Sequence, residues 1–315
     1  MDKNLYIDAS HPNETRVVLK SNNNIEDYEY EGLKSNLNKN NIYLGKVSRI
    51  EPSLQAAFID FGREKHGFLS FNDIQSDYYQ IPKSDLKIIK EEEEKVREEL
   101  SKKNEEKEDE NIAEGKLEID DPIEKESLEE KETLKDEKEK KEEKRPKFKR
   151  YKIQEVIKPN QVILVQVIKD ERGQKGAALS TFISIAGKYI VLMPNTPKGG
   201  GISRKIFNPA DRKKIRSILN EIEIPKEMGL IVRTAGSNKT KNEINHDLTT
   251  LINTWNQIKD TAINSIAPSL IHQESEIIKR TLRDIYDENT NNIIIEGNEG
   301  YKKAQNFMKM MMPSQ

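Results

Sequence analysis

The sequence predicts an α+β protein organised around a small, five-stranded β-barrel. Three short runs of alternating apolar and polar residues lie between Ile42 and Ile74, and segments with Pro or Gly separate them. This pattern is typical of antiparallel strands joined by tight turns. Two further β-type runs, at 162–170 and 176–183, bring the strand number to the five that a barrel needs. Apolar residues with helical spacing supply the α component, over 211–219, 248–258 and 277–286.

Aromatic and basic residues are interleaved in the first three barrel strands. Phe58, Phe61 and Phe68 lie close in sequence to several cations, namely Lys46, Arg49, Arg63, Lys65 and His66. Aromatic rings stack on bases and cations follow the phosphate backbone, which is how OB-type barrels bind single-stranded nucleic acid. A barrel also needs aromatic core residues, and strand alternation predicts that some of these rings point inward. The residue pattern leaves both roles open for each ring.

The net charge of −2 conceals an acidic segment within a basic chain. From Lys90 to Arg150, 43 of 61 residues are charged, 25 acidic and 18 basic, so this segment carries −7 and the other 254 residues carry +5. A basic body is suited to contact with a polyanion. The charged stretch, about residues 85–150, separates the third barrel strand from the fourth. It is therefore predicted to be an insert within the barrel.

The insert is predicted to be disordered, with transient helix. A long helix held by i,i+4 Glu–Lys pairs is the alternative, but the scattered apolar residues form no stripe and Pro122 would interrupt it. The end of the insert, KRPKFKRYK at 144–152, is strongly basic and contains Phe148 and Tyr151. This end is interpreted either as an auxiliary RNA contact or as the solvated end of a charge run.

Residue composition narrows the chemistry and the cellular compartment. The absence of cysteine excludes a disulfide framework and a thiolate metal site, and the four histidines show no metal-ligand spacing. No signal segment follows Met1, and no apolar run reaches the length of a membrane span. We therefore expect a cytoplasmic protein.

Strands and helices are also predicted outside the barrel. Residues 4–9 and 15–20 indicate a hairpin, and a strand at 228–232 ends in Arg233 and Thr234. A guanidinium can bind a phosphate through two charge-assisted hydrogen bonds, and a hydroxyl can add a third, although such a pair is ordinarily a surface strand end. Trp255, the only tryptophan, follows the apolar spacing of a helix and is expected to be a core residue.

Several long motifs resemble those of the ribonuclease E/G endoribonucleases. They are GKVSRIEPSLQAAFIDFG and HGFL at 45–69, RGQKGAAL at 172–179, AGKYIVLMPN at 186–195, GGISR at 200–204, GLIVRTAG at 229–236 and IHQES at 271–275. The resemblance implies an S1/OB-type barrel at 37–181, a 5′-sensor region at 182–279, and an incomplete RNase H-like subdomain begun by 1–36 and resumed at 280–315. It also implies roles in rRNA processing and mRNA decay.

The same resemblance implies two sets of binding residues. The residues expected to face single-stranded RNA are Phe58, His66, Phe68 and Lys175, with Lys169 and Arg172 as weaker candidates. The residues expected to bind a 5′-monophosphate are Gly187, Val191, Arg204, Arg233 and Thr234.

The resemblance does not supply a catalytic centre. Family members hold magnesium with two aspartates of a DNase I-like domain and dimerise through a CPxC zinc link, and both features lie C-terminal to the position of Gln315. The aspartates Asp60, Asp73, Asp247 and Asp284 fall on different predicted elements without the spacing of a two-metal site. We therefore expect no catalytic residue, metal or cofactor in this chain, which would be the RNA-recognition half of such an enzyme.

Two other functions are compatible with the same residues. The chain could contribute to RNA cleavage by pairing with a separately encoded catalytic half. It could instead be an S1-type factor of translation or transcription, although the sensor motifs argue against this.

Overall fold

The computed structural model describes residues 2–11, 13–32, 38–91, 95, 151–173, 175–196, 201–225, 227–274, 276–287 and 289–312. The strands are β1 (Lys3–His11), β2 (Glu14–Ser21), β3 (Asn24–Gly32), β4 (Ile42–Glu51), β5 (Ala56–Asp60), β6 (Gly67–Ser70), β7 (Val162–Lys169), β8 (Ala178–Ser180), β9 (Ile185–Ala186), β10 (Ile190–Met193), β11 (Gly201–Ile202), β12 (Gly229–Val232), β13 (Ser269–His272) and β14 (Asn292–Glu296). The named helices are α1 (Ile153–Val156), α2 (Pro209–Asn220), α3 (Lys241–Ile263), α4 (Ile277–Asp284) and α5 (Asn298–Met311).

The predicted five-stranded barrel is confirmed. Its strands follow the order β4-β5-β6-β8-β7, and pairing between β4 and β7 closes it. The β6–β8 pair is parallel, whereas the other barrel pairs are antiparallel. Because β7 and β8 follow the charged segment, this segment is inserted between barrel strands. Strand β13 also pairs with the start of β4, an addition that the sequence analysis did not predict.

Alternation along the barrel strands directs one set of side chains into a closed core. Val47, Ile59, Leu69 and Val165 are all fully buried. Phe61 is buried with them, and its ring meets that of Tyr43 edge-on, with 5.2 Å between the ring centroids. The structure therefore assigns Phe61 to the core.

Two glycines allow the parallel strands of the barrel to approach closely. A Cβ atom at Gly67 would overlap the side chain of Leu179, and a Cβ atom at Gly176 would overlap the carbonyl oxygen of His66. Only glycine fits at such positions, because any larger residue would separate the two strands. The glycines of the HGFL and RGQKGAAL motifs therefore hold the segments around His66 and Lys175 together.

A second sheet, in the order β11-β12-β10-β9, packs on helices α2 and α3. Helix α3 begins with a capping box, in which Thr240 and Glu243 satisfy each other's backbone amides. Trp255 packs against this core, as the apolar spacing of the helix predicted.

A third sheet brings the two described ends of the chain together. Its order is β14-β1-β2-β3, and β14 runs parallel to β1 although the starts of the two strands are 289 positions apart in the sequence. The predicted hairpin at 4–20 forms β1 and β2. One face of the sheet packs on α4 and α5. None of the helices in the described ranges is both long enough and apolar enough to cross a membrane.

The charged insert is helical where it begins. Residues 83–91, at the start of the predicted insert of about 85–150, form a helix. The hydroxyl of Tyr151 donates to the carboxylate of Asp85, and its ring packs against the barrel core. This packing gives Tyr151 a structural role in the barrel. Phe148 and the central part of the insert lie outside the described residues.

Candidate nucleic-acid interface

An aromatic pair lies on the outer face of the barrel. Phe58 of β5 and Phe68 of β6 are directly opposite each other in register, with ring centroids 6.0 Å apart in an edge-to-face arrangement. Phe68 is 37% exposed and Phe58 is half-buried, whereas their strand neighbours Ala57, Ile59 and Leu69 are completely buried. Alternation therefore places these two rings on the surface, where a base can reach them.

Arg49 extends the aromatic pair across a third strand. It lies opposite Phe58 in the β4–β5 register, and its guanidinium carbon is 4.4 Å from the centroid of the Phe58 ring. The residue is exposed, so its charge is available to solvent. Sequence analysis named Arg49 only as one of several nearby cations. The strand register selects it, because a cation on the ring of Phe58 can contact both a base and a phosphate.

His66 and Lys175 lie at one end of this face. Both are exposed, and Gly176 holds the segments that carry them in close contact. The turn that presents Lys175 is closed by reciprocal backbone hydrogen bonds of 3.1 Å with Arg172. Lys65 supports this turn by donating to the carbonyl oxygen of Gly173 over 2.6 Å.

Three other cations of the barrel, Lys169, Arg172 and Arg63, differ in exposure and in their hydrogen-bond partners. Arg172 and Lys169 are exposed, in the turn and at the end of β7. Arg63 instead donates to Asn38 over 2.5 Å and to the hydroxyl of Tyr43 over 3.2 Å. Arg63 therefore stabilises the fold of the barrel and is not grouped with the cations of the outer face.

Arg233 begins a second polar site at the end of β12. Its backbone amide donates to the carbonyl of Tyr189, and one terminal nitrogen, Nη1, donates to the carbonyl of Gly187 over 2.7 Å. The other terminal nitrogen, Nη2, is 2.5 Å from Oδ1 of Asp284 in α4. The structure thus brings Arg233 and Gly187, two of the predicted sensor residues, into direct contact.

The other three predicted sensor residues flank this contact. Val191 lies on β10, which pairs with β12. Thr234 is exposed and opens a 3₁₀ turn, Thr234–Gly236. Arg204 is also exposed, and the preceding Ser203 donates its amide to the carbonyl of Val232, next to Arg233.

A buried aspartate shapes the loop that carries Gly187. The Asp247 carboxylate accepts hydrogen bonds from the amides of Lys188, Tyr189 and Ile190, at 3.4, 2.8 and 3.1 Å. A Cβ atom at Gly187 would lie 2.6 Å from both carboxylate oxygens, so this position requires glycine. Burial raises the pKa of the Asp247 carboxyl, although the three amides act in the opposite direction. Sequence analysis had considered Asp247 only as a metal ligand.

A buried lysine joins the same loop to helix α4. The Lys188 ammonium donates to the carbonyl of Leu282 over 3.2 Å and to the carbonyl of Tyr286, near the C-terminal end of α4. Cations are favoured at this end of a helix. Burial lowers the pKa of Lys188 to about 8. Lys188 and Arg233 therefore both connect the loop at 187–190 to α4. We call this loop the sensor loop, after the role predicted for Gly187.

Asp284 is shared between two arginines. Besides Arg233, it accepts from Nη2 of Arg283 at its Oδ2 over 2.8 Å and from Nε of Arg283 at its Oδ1 over 3.1 Å. Burial alone would raise the pKa of Asp284, but the bonds to Arg283 and Arg233 together hold it below its usual range. The carboxylate is therefore anionic at neutral pH.

Metal chemistry is not assigned to the described part of the chain. Within it, no three His, Cys, Asp or Glu side chains converge as a metal ion would require.

The family model and the similar proteins found by comparison all point to the same family. Residues 184–315 match the model of the ribonuclease E/G family. The chain is 33% identical to ribonuclease E of Haemophilus influenzae over 311 residues, which are 99% of this chain and 26% of that protein. It is 36% identical to ribonuclease E of Escherichia coli over 294 residues, which are 93% of this chain and 22% of that protein.

A third relative is shorter. The chain is 31% identical to a putative ribonuclease E of Buchnera aphidicola subsp. Baizongia pistaciae, and the match covers 97% of this chain and 59% of that protein. The chain spans about a quarter of the length of the two longer relatives. Over nearly its whole length, the chain is therefore similar to proteins of the ribonuclease E/G family.

Proposed function

We propose that this chain binds single-stranded RNA along the barrel face and binds the 5′-monophosphate of that RNA at Arg233. In this role it is the recognition part of a ribonuclease E/G-type endoribonuclease. The observation that carries the proposal is the surface pair of Phe58 and Phe68, which the strand register places beside Arg49.

The aromatic pair supports a stacking contact with limited base preference. Phe68 keeps more than a third of its surface exposed in a barrel whose other large apolar side chains are mostly buried. Every base has a π-face that can stack on a phenyl ring, and each such contact contributes about 1 to 3 kcal/mol. Arg49, His66 and Lys175 are placed to contact the phosphates that connect the stacked bases.

The Arg233 region supports binding of a terminal phosphate. The carbonyl of Gly187 orients the guanidinium, and Thr234 presents a hydroxyl directly beside it in sequence. A phosphate at the 5′ end carries close to two negative charges at neutral pH and has three acceptor oxygens. A 5′-hydroxyl offers neither, so this site would distinguish the two kinds of RNA end.

The relatives are named ribonucleases, which favours a role in RNA processing and decay. We propose that RNA bound by this chain is presented to a catalytic segment, on the same polypeptide or on a separate chain. The RNA would be rRNA precursors and mRNA in the cytoplasm.

A binding experiment tests this proposal. Fluorescence anisotropy would compare two RNA oligonucleotides of one sequence, with a 5′-monophosphate or a 5′-hydroxyl. Phe68→Ala should weaken the binding of both RNAs to a similar degree, by about 1 to 3 kcal/mol. Tyr28→Ala removes an exposed ring from the third sheet and serves as the matched control. Unchanged affinity of Phe68→Ala, with the fold intact, would remove the barrel face from the proposal.

A further inference from the structure

Both terminal nitrogens of the Arg233 guanidinium already donate to internal acceptors. Nη1 donates to the carbonyl of Gly187 and Nη2 to the carboxylate of Asp284. The two acceptors differ in chemistry, because the carbonyl is neutral and belongs to the sensor loop, whereas the carboxylate is charged and belongs to α4. An anion that approaches Arg233 therefore meets an internal anion at the same group.

We infer that Asp284 is a specificity-determining residue of the 5′-phosphate site, because its carboxylate competes with the phosphate for Arg233. This inference rests on the proposed function of Arg233. Asp284 would lower the affinity of Arg233 for a 5′-phosphate, so that an RNA bound only through its phosphorylated end would bind weakly. RNA that also contacts the barrel face would then be bound preferentially.

The arrangement around Asp284 makes the exchange of partners feasible. Arg233 and Asp284 share one hydrogen bond, and their side chains are 29% and 30% exposed, so solvent and ligand can reach them. After Arg233 is released, Asp284 retains its two bonds to Arg283. Arg233 retains its bond to Gly187. No buried charge is left unpaired, which is the usual obstacle to opening such a contact.

The expected effect follows from the distance between the two anions. If the phosphate binds while Arg233 still contacts Asp284, the phosphate and carboxylate oxygens accept from one guanidinium and lie about 5 Å apart. If Arg233 instead leaves Asp284, binding costs the hydrogen bond between them. At a half-exposed site, repulsion between a phosphate and a carboxylate over this distance corresponds to about a 3- to 30-fold change in dissociation constant. The charge of Arg283 offsets part of the repulsion, which favours the lower end of this range.

The test substitutes Asp284→Asn, which retains the shape of the side chain and removes its charge. The dissociation constant for 5′-monophosphorylated RNA should fall about 3- to 30-fold, and that for 5′-hydroxyl RNA should stay within about 2-fold. Asp287→Asn is the matched control, because Asp287 lies three residues further and pairs with Lys3 instead of Arg233. It should leave the affinity for both RNAs within about 2-fold.

Two further measurements separate the possible failures. In the double variant Asp284→Asn with Arg233→Ala, the gain should disappear, because the competition acts through Arg233. If Asp284→Asn does not fold by circular dichroism, Asp284→Ser replaces it with the same expectation. Unchanged or weaker binding of phosphorylated RNA by the folded variant would overturn the inference alone. If the unsubstituted chain shows no preference for phosphorylated RNA, the proposed function fails and the inference fails with it.

Discussion

Gly187→Ala is expected to destabilise the sensor loop and to remove the recognition of phosphate. The new Cβ atom would lie 2.6 Å from both oxygens of the Asp247 carboxylate, which is far below the ordinary contact distance. The loop or the carboxylate must therefore move, at the expense of three amide hydrogen bonds to a charged group. Such bonds contribute about 1.5 to 3 kcal/mol each. Because relaxation will retain part of this energy, we expect a loss of about 2 to 4 kcal/mol.

Urea unfolding followed by tryptophan fluorescence measures this loss directly. Trp255 is the only tryptophan and packs against the same core, so its signal reports on the second sheet and its helices. Gly201→Ala is the matched control, because a Cβ atom at Gly201 would meet nothing within 4 Å. A loss below about 0.5 kcal/mol for Gly187→Ala, or an equal loss for the control, would refute the steric argument.

Two other predictions concern single cations. Arg49→Ala should weaken the binding of 5′-phosphate and 5′-hydroxyl RNA alike, by about 0.5 to 2 kcal/mol, because the Arg49 guanidinium covers Phe58 on the barrel face. Fluorescence anisotropy measures both affinities, and a loss confined to one kind of RNA end would contradict this prediction. For Lys188, burial lowers the pKa in the folded state to about 8 from 10.5. The unfolded chain therefore binds more protons between pH 8 and pH 10.5 than the folded chain does. The unfolding free energy should rise with pH across this window, by up to about 3 kcal/mol. Urea titrations at pH 8 and pH 10 should show a smaller rise in Lys188→Met, and an equal rise would exclude Lys188 as the source.

The barrel could be predicted from the sequence because its signals are local. Alternation over β5 and β6 gives the strands, but it leaves open whether Phe58 and Phe68 face the core or the surface, and only the family resemblance placed them outside. The insertion of the charged segment between barrel strands also followed, because a barrel needs strands from both sides of this segment. The role of Phe61 did not follow, because alternation alone does not say whether a ring at the end of a strand turns inward.

The internal partners of the sensor residues could not be predicted in this way. Asp247 lies about 60 residues from the amides that it binds, and Asp284 lies 51 residues from Arg233. In the sequence, nothing distinguishes Asp247 in α3 or Asp284 in α4 from other helical aspartates. Their partners become visible only when these helices pack against the segments that carry Gly187 and Arg233. Strand β13 was missed for a related reason, because a run of four residues pairs only through the tertiary fold.

We propose that one group, the Arg233 guanidinium, allows the chain to distinguish a phosphorylated RNA end. The most direct test is the ratio of dissociation constants for 5′-hydroxyl and 5′-monophosphate RNA, in the unsubstituted chain and in Arg233→Ala. In the variant, the ratio should fall about 10- to 100-fold, as expected for the loss of a charge-assisted bond of about 1.5 to 3 kcal/mol, while binding of the 5′-hydroxyl RNA is retained. A ratio that is the same in both proteins would contradict this role of Arg233.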